Sequence, residues 1–580
     1  MAYKNNAAFG GNCKMSASMA ALVASGESHS ALRAPLGPAA GKKSGASVLS
    51  YHVFVRCSTT EATSIASIPL AKGRGEVMTA IVPSASLSDF IADERVTRVS
   101  APKRLWPLMD IASPLIGVPQ FADKYKVSGK GVIIGIVDTG MDISHEAFAG
   151  RVLKIWDQEI AGPGPGTGFS KLGTILTGEA MAASKDVHGH GTHVAGIAGG
   201  AGSIYGGIAP ETCYLIVKTN FQTSAVVEGV RWIFSEAEKL GRACVVNLSL
   251  GGHFDSHDGE DDTSIGISDE CREGRLVVAS AGNEGRAPIH ARKEVGAGPP
   301  TRFELAVKPG TSPAGAPPLI LNGWYGGAAR CETRLHSPTG KKTSWQGLIG
   351  KDPAAKSYYL GNDKVVISTP DALAPNGDRQ FLMEIFGDAD AIQEGTWVLE
   401  VRLKSGKAGA VDVWLVLDPE GPGAAEFMAP VRDTLIGAPG AAHEAVTVAS
   451  YTSRNQWNDL SGASVSVGLA LHSVSEFSSP GPLRGGRLKP DVTAPGAMIA
   501  SCSSSDSSVD PNDLVAGNYR MMAGTSMAAP VVTGLLALFL ESHPKATPSV
   551  AKEWLKKNSC VPHAHSGTHD IKWGYGLIKV

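Results

Sequence analysis

The sequence predicts an α/β fold: a mostly parallel sheet flanked by helices, preceded by a small α+β module and interrupted by an all-β insertion. Three observations predict it. Short, continuous apolar runs recur and end on polar residues, as strands buried on both faces do. Helical stretches separate these runs, and strand–helix alternation builds parallel sheets. From about Gly296 to Pro430 the alternation stops, and short strand-like runs between Gly and Pro turns replace it.

In chain order, residues 1–49 are small, polar and aperiodic, and are expected to form a mobile leader. Tyr51–Cys57, Gly75–Pro83 and Val96–Ser100 read as strands and Ala85–Ala92 as a short helix. They make a module over 50–108 that is small for independent stability. Gly131–Asp138 (GVIIGIVD) is the first central strand and ends on a carboxylate. Cys213–Lys218, Cys244–Leu250 and Leu276–Ser280 continue the sheet, with helices at His193–Gly199 and Ser224–Leu240. This first α/β segment spans 109–296. The insertion, 297–430, shows strand-like runs at Phe303–Lys308, Val365–Ser368, Phe381–Phe386, Thr396–Leu403 and Ala410–Leu417. Trp397 and Trp414 fall within them and are expected in its core rather than on a ligand platform. The α/β grammar resumes at Ala445–Ala449, within a second segment over 431–580, so the ends of the insertion should lie close together.

A chain of 580 residues is expected to hold two to four folded units. With 53 basic against 55 acidic side chains, it offers no electrostatic case for nucleic acid or an anionic membrane. Near the C-terminus, the apolar run Val531–Leu540 is far shorter than the ~20 residues that cross a bilayer. Near the N-terminus, Lys14 precedes the weakly apolar Met15–Ser25, a poor secretory signal, which favours a cytoplasmic over a secreted location. Cys13, Cys57, Cys213, Cys244, Cys271, Cys331, Cys502 and Cys560 are scattered singly, without metal-ligand spacing, and are expected as free thiols.

Four places carry residues suited to nucleophilic catalysis, and each has a plainer reading. Asp138 ends a buried strand before Thr139 and Gly140, where catalytic groups of open α/β sheets gather, yet an Asp there is also a common turn residue. His188, His190 and His193 lie in HGHGTHVAGIAGG and suit either a base or a metal cluster. Asn283, in VVASAGNEG, either caps a turn or donates to an oxyanion. Ser526, in MAGTSMAAPVVTG, either caps a helix or is a nucleophile at its N-terminus, with Pro530 expected in the first turn.

Taken together, these segments resemble the subtilisin-like serine proteases, the subtilases. IVDTGMDISH, HGTHVAG, NLSLGG, ASAGNEG and GTSMAAPVVTG follow the family's order, with FSSPGP and LKPDVTAPG as further landmarks. The resemblance covers about 112–295 and 431–580. It implies a subtilisin-like sheet and a serine endopeptidase acting on polypeptides. His190 would be the base, Asp138 its orienting carboxylate, Ser526 the nucleophile, and Asn283 with the Ser526 backbone N–H the oxyanion hole. Ser249, Leu250 and Gly251 would pair with substrate backbone, and Gly252, Ala281, Gly282 and Asn283 would line the pocket for the residue before the cut. The 50–108 module resembles the family's inhibitory prodomain, an intramolecular partner removed by self-cleavage, here within about Pro102–Asp110. The insertion resembles the jelly roll of clostridial germination-associated subtilases. No cofactor is implied. The calcium-binding subtilases carry an Asp nine positions after the triad Asp; Ala147 stands there, so that site is expected to be absent. With no triad member lost, an active enzyme is favoured over a catalytically silent scaffold of the same fold.

Overall fold

The computed structural model describes residues 50–58, 63–72, 77–100, 112–202, 205–308, 318–351, 354–387, 392–416 and 425–580. The leader (1–49) and the expected self-cleavage segment (102–110) lie outside the described residues. The chain divides into two compact units, Met1–Trp106 and Pro107–Val580.

In the first unit, β1 (Ser50–Cys57) pairs antiparallel with β3 (Val77–Pro83) and β4 (Val96–Ser100), and β2 (Ala71–Lys72) pairs with β3, giving the order β2-β3-β1-β4. Met78, Ala80 and Val82 recur at every second position and are buried with Val55, Val96 and Val99. Helix α1 (Leu87–Ala92) closes this core with Leu87, Phe90 and Ile91.

The second unit is built on a ten-stranded sheet. Its strands are β5 (Ile133–Asp138), β6 (Val152–Asp157), β7 (Thr174–Leu176), β8 (Cys213–Lys218), β9 (Cys244–Leu248), β10 (Arg275–Ser280), β11 (Val446–Tyr451), β12 (Val492–Pro495), β13 (Ser559–Cys560) and β14 (Leu577–Ile578). The order is β13-β14-β12-β11-β10-β9-β5-β8-β6-β7, parallel except at the β13–β14 and β6–β7 edges. Every residue of β5 is buried: Ile134 and Ile136 face one core, Ile133 and Val137 the other. On the first side lie α2 (His190–Gly199) and α4 (Thr525–Ser542); on the second lies α3 (Thr223–Lys239), through Val226, Val230, Ile233 and Phe234. Among the described residues, α4 alone is long and apolar enough to cross a membrane, and it is a buried core helix.

Between β10 and β11 the chain builds two antiparallel sheets, of six and four strands. Strands such as Ala329–His336 and Arg379–Phe386 bury alternate residues, so each sheet turns one face inward. Leu321, Phe381 and Trp414 of the larger sheet and Phe303, Trp397 and Leu399 of the smaller share one core. One expectation on this region needs correction. His290–Val295, ahead of the boundary expected at 297, pairs with Gly409–Val416 and so belongs to the larger sheet. Leu319–Tyr325, Ala329–His336 and Ala355–Leu360 are further strands beside those the sequence runs exemplified. Entry and exit adjoin: the Val431 N–H donates to the His290 carbonyl at 2.8 Å and that of Phe427 to Pro288 at 2.9 Å.

Candidate functional site

Strands β5, β9 and β10 are parallel neighbours, so their carboxyl ends fall along one edge of the sheet. That edge receives Asp138, the segment Ser249–Gly252 and the segment Ala281–Asn283, while α2 and α4 bring His190 and Ser526 at their first turns.

Asp138 is 1% exposed, and its Oδ1 accepts from the Thr139 N–H and from His190 Nδ1, both at 2.7 Å. Because a carboxylate only accepts, Nδ1 carries the proton, and Nε2 of the neutral ring keeps its lone pair. Burial disfavours a charged His190 ring. The Asp138 carboxylate outweighs it, with Asp186 adding, so the His190 pKa lies above its usual 6.5. Asp186, which sequence reasoning missed, organises this corner from a fully buried position. Its Oδ1 accepts from Thr139 Oγ1 and the Gly189 N–H, both at 2.8 Å; its Oδ2 accepts from the Thr192 N–H at 2.8 Å and from the Thr192 hydroxyl. An Asp just ahead of a helix start is the available signal. Gly191 is required by close approach: a Cβ there would stand 2.2 Å from the Gly140 carbonyl oxygen.

The structure separates the three histidines. His188 is exposed, its ring 6.1 Å from that of His190. His193 is buried with Nε2 at 3.1 Å from the Ile499 and Arg520 carbonyls, so it is a neutral structural donor, its pKa pushed down by burial to about 3. No group of three metal-ligating side chains occurs among the described residues.

Ser526 is the second residue of α4, and its Oγ donates to the Ser249 carbonyl at 3.3 Å. Pro530 is therefore the sixth helical residue, not a first-turn residue as expected. Its missing N–H would have bonded the Ser526 carbonyl four residues back. The Ser249 hydroxyl takes that place, donating to Ser526 O at 2.7 Å. Ser249 Oγ in turn accepts from Asn247 Nδ2 at 2.9 Å, and Asn247 Oδ1 accepts from Thr533 of α4 at 2.9 Å.

The Asn283 side chain is fixed by its oxygen, which accepts from the Thr525 N–H (2.9 Å) and hydroxyl (3.0 Å), leaving Nδ2 to donate elsewhere. A methyl group placed at Gly524 would lie 3.5 Å from Ser526 N and 3.6 Å from Asn283 Nδ2, so both N–H groups border one small space. Beside it, Leu250 is half-buried, Gly251 and Gly252 are exposed, and Ser249–Gly252 continues past β9 outside any strand. Ala281 is buried with its N–H on the Val448 carbonyl at 3.0 Å, and Gly282 turns the chain at φ 104°.

At Ala147, where the calcium-binding subtilases carry an Asp, the neighbouring carbonyl oxygens are taken by an arginine side chain. Ala147 is buried, and the carbonyls of Ala147, Gly199 and Thr212 all accept from the Arg151 guanidinium, the last two at 2.8 and 3.0 Å. A fixed cation on those oxygens does not fit a divalent ion in the same place.

A model of the subtilase family matches residues 129–317 and 429–576. Subtilisin-like protease SBT4.14 of Arabidopsis thaliana is 27% identical over 506 residues, 80% of this chain and 62% of that protein. Serine protease AprX of Bacillus subtilis is 35% identical over 127 residues, 21% of this chain and 26% of that one. The chain thus spans less than two thirds of the length of these relatives. Among solved structures, the Clostridium perfringens CspB protease superposes with a TM-score of 0.64 at 24% identity, over 81% of this chain and 95% of that one, a likeness of fold.

Proposed function

Because the chain belongs to the subtilase family, we propose that it is a serine endopeptidase using Asp138, His190 and Ser526, with Asn283 in its oxyanion hole. The observation that carries this reading is the His190 Nδ1–Asp138 Oδ1 hydrogen bond of 2.7 Å, beside the sheet edge that receives Ser526. Ser526 Oγ attacks the scissile carbonyl and His190 Nε2 takes its proton; the buried Asp138 stabilises the imidazolium. The developing oxyanion takes hydrogen bonds from the Ser526 N–H and Asn283 Nδ2, the two groups that border one space. His190 then protonates the leaving amine, and water admitted in its place releases the acyl group from Ser526. Substrate backbone adds as a strand along Ser249–Gly251, and the residue before the cut enters between Gly252 and Ala281–Asn283. The first unit acts as a prodomain removed by self-cleavage, and the inserted sheets form a jelly-roll-like domain.

Expression of the wild-type chain beside Ser526→Ala, followed by intact mass and N-terminal sequencing, tests this. The wild type should lose ~100 N-terminal residues, label with a serine-directed fluorophosphonate and cleave peptides, whereas the variant should lose about 10⁵-fold or more in rate and stay whole. A wild type that neither labels nor cleaves would refute the reading and leave a scaffold of the same fold.

A further inference from the structure

We propose that His253 is a specificity-determining residue, a cation seated against Glu284 in the pocket for the residue before the scissile bond, so that the pocket's charge, and with it the choice of substrate, changes with pH. The inference rests on the protease reading and deepens it.

His253 follows Gly252 and Glu284 follows Asn283, so the two side chains extend from the two segments read as pocket walls. Their charged ends meet, with His253 Nε2 3.6 Å from Glu284 Oε2. Glu284 Oε2 also accepts from the Ser479 hydroxyl at 2.9 Å, and the carboxylate side chain stays 30% exposed. Gly282 beside it has a φ of 104°, a backbone conformation that residues with a side chain rarely adopt.

The hydrogen bonds fix the protons. His257 Nδ1 lies 3.1 Å from the Asp255 carbonyl, which only accepts, so Nδ1 carries hydrogen. His257 is fully buried; burial, aided by His253, His290 and Arg484, pushes its pKa well below 6.5, so it holds that one proton and its Nε2 accepts. Nε2 lies 2.9 Å from His253 Nδ1, which must therefore donate. Only His253 Nε2 then remains, facing a carboxylate. A lone pair there would be repelled; a proton there makes the ring an imidazolium paired on both sides. Glu284 agrees: burial would raise its pKa, but His253 and Ser479 hold it below the ordinary range.

The inserted domain holds this arrangement in place. Asn322 Nδ2 donates to the carbonyls of His253 and Asp255 at 2.9 and 3.0 Å, and Gln380 Nε2 donates to Asn322 Oδ1 at 2.8 Å. Trp414 stacks parallel to His257 at 3.9 Å and to His290 at 4.4 Å between centroids. The charged and titratable groups around His253 and its partner are Glu284, His257, Asp255, His290 and Arg484, the last also bonding Asp412. Of these, Glu284 and His257 contact the His253 ring. With His253 charged, Glu284 is neutralised and the pocket favours an uncharged residue. Once the ring loses its second proton, Glu284 stands alone and a lysine or arginine is drawn in.

The test uses the full chain and two peptides differing only in lysine or methionine before the cut, assayed for kcat/KM from pH 5 to 9. Their ratio cancels the titration of His190. In the wild type the lysine-to-methionine ratio should rise by about tenfold with pH, the effect of one nearby charge. His253→Gln should be high and flat, His253→Lys low and flat, and Glu284→Gln low and flat. A wild-type ratio that stays flat, or a rise that persists in Glu284→Gln, overturns the proposal, and the second comparison stands even if the His253 variants fail to fold. Fluorophosphonate labelling separates the two levels. A labelled chain with a flat ratio overturns this inference alone, and a wild type that neither labels nor cleaves overturns the protease reading with it.

Discussion

Replacing Ser249 by Ala removes the donor that serves the Ser526 carbonyl and the acceptor that serves Asn247 Nδ2. Both partners are left with little access to water, and a buried group losing its partner costs about 1–3 kcal/mol. Relaxation and partial solvation bring the sum to roughly 2 kcal/mol of stability. Ser526 bears the carbonyl that is released, so the proposed nucleophile shifts as well, and a loss of about tenfold in kcat corresponds to ~1.4 kcal/mol. The origin of this dependence is Pro530, which deprives Ser526 O of its helical partner. Adding Pro530→Ala to Ser249→Ala restores an N–H four residues on, and should recover about 1 kcal/mol of stability and about fivefold in kcat. In the Ser249 wild type, Pro530→Ala should matter little, because the hydroxyl already fills the carbonyl. Urea unfolding and peptide hydrolysis on the four members of the cycle give the coupling energy. Strictly additive effects in both assays would refute the idea that the hydroxyl stands in for the missing amide.

Two further outcomes follow from the same geometry. The raised His190 pKa has opposite consequences for rate and for stability: kcat/KM should climb as pH rises through that pKa and frees Nε2. The stabilisation from the His190–Asp138 pair is complete below 6.5, and fades as pH rises through the same pKa. A pH–rate profile beside pH-dependent melting checks the sign, and Asp138→Asn should abolish the second effect and cost about 10⁴-fold in kcat. Arg151→Ala strips three carbonyls of one guanidinium and should cost about 3 kcal/mol, which added calcium does not restore. Combined with Ala147→Asp, the melting temperature should become calcium-dependent; a Tm indifferent to calcium in the double variant would count against the ion's exclusion by Arg151.

Legibility in the sequence followed the range of the interactions. Strands such as Ile133–Asp138 are buried on both faces and announce themselves as unbroken apolar runs, so the central sheet was readable. Several strands of the insertion bury only alternate residues, and Ala355–Leu360 is largely exposed, so its pattern sank below recognition. The boundary at 297 failed because His290–Val295, with Arg292, Lys293 and Glu294, looks like a polar loop until its partner Gly409–Val416 is known. In the candidate site, residue types and order singled out segments that the fold brings to one edge of the sheet, but contacts set by distant partners stayed hidden. Asp186 gains meaning only from Thr139 and Thr192, and His193 only from carbonyls more than 300 positions away. Pro530 was misplaced because the start of α4 could not be fixed to within a turn.

The insertion enters and leaves through paired backbone, with His290 bonded to Val431. To a genome this is a cassette: one segment gained or lost at a single point without cutting β10 or β11. To the folded protein it is not. Deletion would strip Trp414 from His257 and Asn322 from the His253 and Asp255 carbonyls, leaving a bare imidazole face and two carbonyls without their donor. A lineage that acquired the segment as a passenger would therefore become dependent on it, and grafting the domain onto another enzyme would have to carry its landing loop, residues 253–258, as well.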